Sequence, residues 1–96
     1  MELAIIGEFR ARPGREPEVE AAIRKVVPPS RREPACLAIH AFRSNRDPSL
    51  FFIHSRWTDE AAFEAHAALP HTIEFLATVE PLITNEVDVA RLTQIS

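Results

Sequence analysis

Apolar and polar residues alternate with period two over residues 3–11, putting Leu3, Ile5 and Phe9 on one face and Ala4, Ile6, Glu8 and Arg10 on the other. That period predicts a strand. Arg12-Pro13-Gly14-Arg15 then supplies a turn. Beyond it Val19, Ala22, Ile23, Val26 and Val27 recur at helical spacing, with Pro17 in a favoured first-turn position. Glu16, Glu18 and Glu20 lie near the positive end of the helix dipole, and Arg24 and Lys25 nearer the negative end. Pro28-Pro29 should stop this helix, because proline lacks an amide donor and restricts the residue before it.

Residues 30–34 form a short polar connection. Residues 35–42 and 50–57 read as strands, joined by Ser44-Asn45-Arg46-Asp47-Pro48, which is too short for a parallel crossover and therefore makes an antiparallel hairpin. Thr58 or Asp59 caps a helix whose buried stripe would be Ala62, Phe63, His66 and Ala67. After Pro70 a second helical segment buries Thr72, Phe75, Leu76 and Val79 and ends at Glu80-Pro81, and residues 84–94 make a last strand. The order strand, helix, strand, strand, helix, strand is the split βαβ pattern of a ferredoxin-like α+β domain.

In that architecture helices cover one side of the sheet, so the other side should be polar in a self-sufficient monomer. The pattern is apolar on both. One hairpin strand carries Phe51, Ile53 and Trp57 on one face and Leu50 and Phe52 on the other, and its neighbour sets Leu37 and Ile39 opposite Cys36, Ala38 and Phe42. Such a contiguous patch predicts a homodimer in which a second protomer covers the open face, a dimeric α+β barrel with a cavity in each subunit.

The length of 96 residues fits a single domain spanning 1–96. A formal charge of -3 with both signs interspersed disfavours a nucleic-acid surface. No apolar run approaches the ~18 residues of a membrane span, and Met1-Glu2-Leu3 enters a strand without a basic or apolar leader, so the expected setting is soluble and cytoplasmic. The lone Cys36 has no disulfide partner and reads as a small buried hydrophobe.

Histidine is the side chain whose ordinary pKa lies nearest neutrality, and the chain has four, His40, His54, His66 and His71. A buried one can act as general base, general acid or donor to a developing oxyanion. Each also has a structural reading: His66 as a core histidine bonded to a carbonyl, His71 as a helix-start residue, and His40 and His54 as strand residues facing either cavity or solvent. His66 and His71 lie five apart with Pro70 between them, which does not match the short fixed spacing of zinc sites. No metal is expected. Ser55 with Asp59 or Asp88 could be assembled into a Ser-His-Asp set, yet no nucleophile elbow is present. The only glycines, Gly7 and Gly14, make no phosphate-cradling loop.

Arg12-Pro13-Gly14, Pro28, Glu33-Pro34-Ala35-Cys36-Leu37, and Trp57 followed by Ala61-Ala62, His66, Pro70-His71 and Phe75 together resemble the antibiotic biosynthesis monooxygenase family, in particular its quinol monooxygenase branch. The most specific portion is the run W-x(8)-H-x(3)-P-H-x(3)-F. The resemblance, which spans roughly residues 3–90, implies a homodimeric barrel that oxygenates phenolic, quinol or polyketide-like aromatics with molecular oxygen and no cofactor. It makes His66 the candidate base, with His40 and Trp57 as further catalytic candidates. Phe52, His54, Arg56 and His71 become candidate substrate contacts, as aromatic wall or anion-stabilising donors.

Two positions depart from the family pattern: Ser55 stands where a glutamate is frequent, and Ala35 where a glycine is usual. Haem-degrading relatives carry a tryptophan at the His66 position and a first-strand asparagine, and this chain has neither. A non-catalytic ligand-binding module, or an isomerase acting on a small carbonyl compound, remains open on the same fold.

Overall fold

Burial along β1 (Leu3–Arg10) follows the expected alternation, with Ile5, Gly7 and Phe9 buried and Ile6, Glu8 and Arg10 exposed. The computed structural model, which describes residues 1–96, continues through α1 (Glu16–Arg31), β2 (Cys36–Arg43), β3 (Leu50–Trp57), α2 (Glu60–Ala67), α3 (Pro70–Val79), a short 3-10 turn (Glu80–Leu82) and β4 (Val89–Leu92). The four strands form an antiparallel sheet in the order β2-β3-β1-β4, the ferredoxin-like α+β arrangement. Gly14 takes φ 83° in the turn before α1, a conformation that glycine adopts without a Cβ penalty.

The helix α1 does not stop at its prolines. It runs through Pro28 and Pro29 to Arg31. The amide bonds that two prolines forfeit are those to the carbonyls of Arg24 and Lys25, both exposed residues whose carbonyls water can serve. The last turn is held from its other side: buried Ser30 donates from Oγ to the Val26 carbonyl at 2.8 Å, and Val26 sits in the core.

Helices and sheet enclose one principal core built around Phe9, Val19, Val26, Phe51, Phe75 and Val79, with Phe9 and Phe75 meeting edge to face at 5.5 Å. A smaller cluster of Ile5, Trp57 and Phe63 lies at the other end of the sheet. Asp59 caps α2 by accepting from the Ala62 amide at 2.8 Å. Within the predicted α2 stripe Phe63 and His66 are buried, whereas Ala67 is exposed.

Two strand details differ from expectation. The ladder between β2 and β3 shifts register between Cys36 and Ala38, so Leu37 is the extra residue of a bulge and is exposed instead of sharing the inner face with Ile39. The strand β4 is only Val89–Leu92, much shorter than residues 84–94. Asn85 explains the delay: its side-chain oxygen accepts from the Arg10 amide and its Nδ2 donates to the Glu8 carbonyl, both at 2.9 Å, taking over the edge of β1 from a backbone partner.

Candidate functional site

Trp57 ends β3 pointing under the helices and is fully buried, with its indole N–H donating to Ser55 Oγ at 3.0 Å. The two residues share a strand face, so the serine at the position where a glutamate is frequent serves the tryptophan directly. His66, in the last turn of α2, lies against this indole with ring centroids 4.4 Å apart and planes tilted by 35°. Phe63, three residues earlier on the same helix face, completes the aromatic packing at 5.8 Å from the imidazole.

The α1–β2 connection brings the third participant. Glu33 is pinned at both ends of its peptide, its amide donating to the Ser30 carbonyl at 3.1 Å and its carbonyl accepting from the Cys36 amide at 3.0 Å. Its Oε2 accepts from His66 Nδ1 at 2.7 Å and from His71 Nε2 at 2.8 Å. His71 reaches it because Pro70 starts α3 beside the end of α2, and the Thr72 and Ile73 amides are anchored on the Leu69 carbonyl. The Glu33 side chain is only 13% exposed and that of His66 only 11%, so water competes weakly for these bonds. Thr72 Oγ1 lies 3.4 Å from the same His66 nitrogen.

A carboxylate only accepts, so the two ring nitrogens facing Glu33 carry hydrogens. In a neutral His66 the opposite nitrogen, Nε2, is then the proton acceptor. His66 lines an apolar cavity of about 290 Å³ between helices and sheet, whose floor includes Ile5, Gly7 and Ile53. A Cβ at Gly7 would meet two Phe9 ring carbons at 3.2 and 3.3 Å, so the bare glycine gives that floor its shape. Ser30 and Thr72 contribute polar groups, and Asp88 and Arg91 lie on the β4 side. Arg91 donates to Glu64 and Glu60 and its guanidinium sits 5.2 Å over the Phe63 ring, joining β4 to α2; these carboxylates push its pKa up. Cys36 is half-buried, and burial together with the negative charge of Glu33 raises its thiol pKa.

Of the residues singled out in the sequence, His66, Trp57 and His71 converge. His40, His54, Phe52 and Arg56 do not: His40 pairs with His54 and Phe42 with Phe52 across the hairpin, and all point to the face away from the helices. Period two accounts for this, since their neighbours Ile39, Ile53, Ser55 and Trp57 occupy the inner face. The sheet therefore stands between His40 and His66, and Arg56 instead donates to Glu2 at 3.0 Å. Glu33 was not among the expected site residues. Its only signal was a lone acid in the Glu33-Pro34-Ala35-Cys36 motif, in a connection with no periodicity of its own.

The profile of the antibiotic biosynthesis monooxygenase family matches residues 3–78. Among sequence relatives, Rv0793 of Mycobacterium tuberculosis, provisionally named a monooxygenase, is 27% identical over 90 residues, covering 94% of this chain and 88% of that protein. The uncharacterized protein sll1783 of Synechocystis is 22% identical over 87 residues, covering 91% of this chain but only 59% of that longer protein. In structure the chain is similar to PA3566 of Pseudomonas aeruginosa, with TM-score 0.92 and 32% identity covering 99% and 95% of the two chains. The fold of Rv0793 also superposes, with TM-score 0.94 at 24% identity over 100% and 97%. The chain belongs to the antibiotic biosynthesis monooxygenase family.

Proposed function

We propose that the protein oxygenates a small phenolic, quinol or other enolisable aromatic compound with molecular oxygen. The observation that carries this reading is His66, held by Glu33 at Nδ1, packed on Trp57 and among the residues that line an apolar cavity. The family's name, and the provisional name of Rv0793, support the reaction class.

In this reading His66 Nε2 removes a proton from the bound phenol or enol, and Glu33 stabilises the imidazolium that results. The anion passes one electron to oxygen, the two radicals combine into a carbon–oxygen bond, and the proton returns to give a hydroperoxide. Where that carbon carries a further hydrogen, loss of water leaves a carbonyl. The substrate thereby loses two hydrogens and gains one oxygen atom, and the second oxygen atom leaves as water. All electrons come from the substrate. Phe63 supplies an aromatic wall of the cavity and Trp57 backs the His66 ring, and the mainly apolar lining limits the water around the developing charges.

A second copy of the chain covers the open sheet face, where Ile6, Phe42 and Leu92 are exposed. His40, His54, Phe52 and Arg56 then belong to the subunit contact and not to the chemistry. No helix is long and apolar enough to cross a membrane, and the reading is of a cytoplasmic enzyme.

Oxygen uptake by the purified, chelator-treated protein with a panel of quinols and anthrones tests the proposal. Turnover that is lost in His66→Ala, with the fold retained, is the expected result; absence of turnover across the panel overturns the oxygenase reading. Proton exchange into a carbonyl substrate without oxygen uptake would identify an isomerase instead, and binding without either reaction a ligand-binding module.

A further inference from the structure

The Glu33, His66 and His71 side chains do more than orient a base. Glu33 Oε2, His66 Nδ1 and His71 Nε2 all lie within 4.8 Å of one another, on three different segments of the chain. A carboxylate and two imidazoles are a facial ligand set for a divalent transition-metal ion that leaves further positions open. Ligand atoms around a tetrahedral ion with bonds of ~2.1 Å stand about 3.4 Å apart. The contacts here, 2.7 and 2.8 Å from the carboxylate, are shorter, while the third separation is bounded by 4.8 Å. A retreat of the Glu33 carboxylate by roughly 0.6 to 0.7 Å and an approach of the two rings would bring the set to that spacing. The side chains are 13%, 11% and 25% exposed for Glu33, His66 and His71, so an ion has a way in while the site is mostly dry. The spacing of His66 and His71 in sequence concealed this because the third ligand comes from the α1–β2 connection.

We propose that Glu33, His66 and His71 bind one divalent transition-metal ion, of the Zn²⁺ or Co²⁺ type, in place of the hydrogen bonds they share. The ion takes Nδ1 of His66, so the proton of the neutral ring moves to Nε2 and the nitrogen proposed as the base becomes a donor. Uptake of the ion therefore switches the proposed base off, reversibly. Ion binding itself stands apart from the oxygenase reading, because it is measured without substrate.

The test uses chelator-treated full-length protein titrated with Co²⁺ and, in competition, Zn²⁺. Expected are one ion per chain, visible Co²⁺ ligand-field absorption, and quenching of Trp57 fluorescence, since the indole lies 4.4 Å from the His66 ring. His71→Ala and Glu33→Gln should each weaken binding by about 10- to 100-fold or more, at least as much as losing an outer-shell partner does. His40→Ala, on the opposite face, should leave it unchanged. Nitrogen-15 spectra of the histidine rings should show the His66 proton passing from Nδ1 to Nε2 as Zn²⁺ is added. Absence of one-to-one binding overturns the proposal, as does binding that survives both His71→Ala and Glu33→Gln or depends on His40.

Discussion

The Glu33 carboxylate and the His66 imidazole meet at 2.7 Å across 33 positions of sequence, and that bond decides which nitrogen of a neutral ring carries the proton. Without it the ring could carry its proton on either nitrogen and rotate about its side-chain bonds. With it, one tautomer and one orientation are selected in advance, which is the pre-organisation that the proposed general base requires.

Replacement of Glu33 by alanine should therefore reduce kcat by roughly 100-fold, the lower end of what a positioned base contributes, with a much smaller change in KM. Thermal and urea unfolding should stay cooperative, since Glu33 lies outside both apolar clusters. Steady-state oxygen uptake with the best substrate from the panel measures the split. Unchanged kcat would remove Glu33 from the mechanism.

Ser55 offers a separate test, directed at stability. Its hydroxyl is the partner of the buried Trp57 N–H, and both residues are almost wholly shielded from water. Ser55→Ala leaves the indole donor unsatisfied and should cost about 1–3 kcal/mol. In urea this appears as a lower midpoint with an unchanged slope. A midpoint within experimental error of the parent would mean that the indole finds another acceptor.

The alternation in β1 and β3 and the helical stripe of α1 carried the fold in the sequence, because each period maps directly onto one face of an element. Pro28 and Pro29 misled, because proline is a local signal and the outcome depended on which carbonyls faced water and on what Ser30 buried. The site was half legible. Trp57, His66 and His71 come from neighbouring segments whose spacing survives in the chain, whereas Glu33 joins them only through the packing of α1 against the sheet. Period two puts His40 on the face of Phe42 and His54 on that of Phe52, yet period alone does not say which face the helices cover.

Asp47 anchors the turn between β2 and β3 to β1 and should make part of the stability pH-dependent. Hydrogen bonds from Ser49, then from Arg10, hold its carboxyl down at about 2 against an ordinary value of 3.8. A folded-state pKa below the unfolded one means that the contribution is complete above about pH 4 and is lost as pH falls through about 2. Asp47→Asn should accordingly lower Tm at neutral pH, with the difference from the parent shrinking below pH 4 and vanishing only below about pH 2. A Tm difference that stays constant across that window would trace the effect to packing and not to the charge.

The open sheet face supplies the last prediction. Phe42 stands opposite Phe52 in the β2–β3 ladder, and with Ile6 and Leu92 it leaves an apolar surface on the side that no helix covers. Burying each large apolar side chain in a subunit contact contributes ~1.5–3 kcal/mol, so a few of them suffice to hold two copies together. A glutamate at position 42 would have to be buried there as a charge without a partner, at a cost larger than the contact it replaces. Phe42→Glu should convert a dimer into a monomer by light scattering at micromolar concentration while leaving the monomer folded. Ile73 is the control: it is as exposed as Phe42, at 55%, but lies on α3 on the opposite side of the molecule. Ile73→Glu should leave the mass at that of the dimer. If the parent protein is itself monomeric at micromolar concentration, or if both variants dissociate alike, the open face is not the contact between subunits.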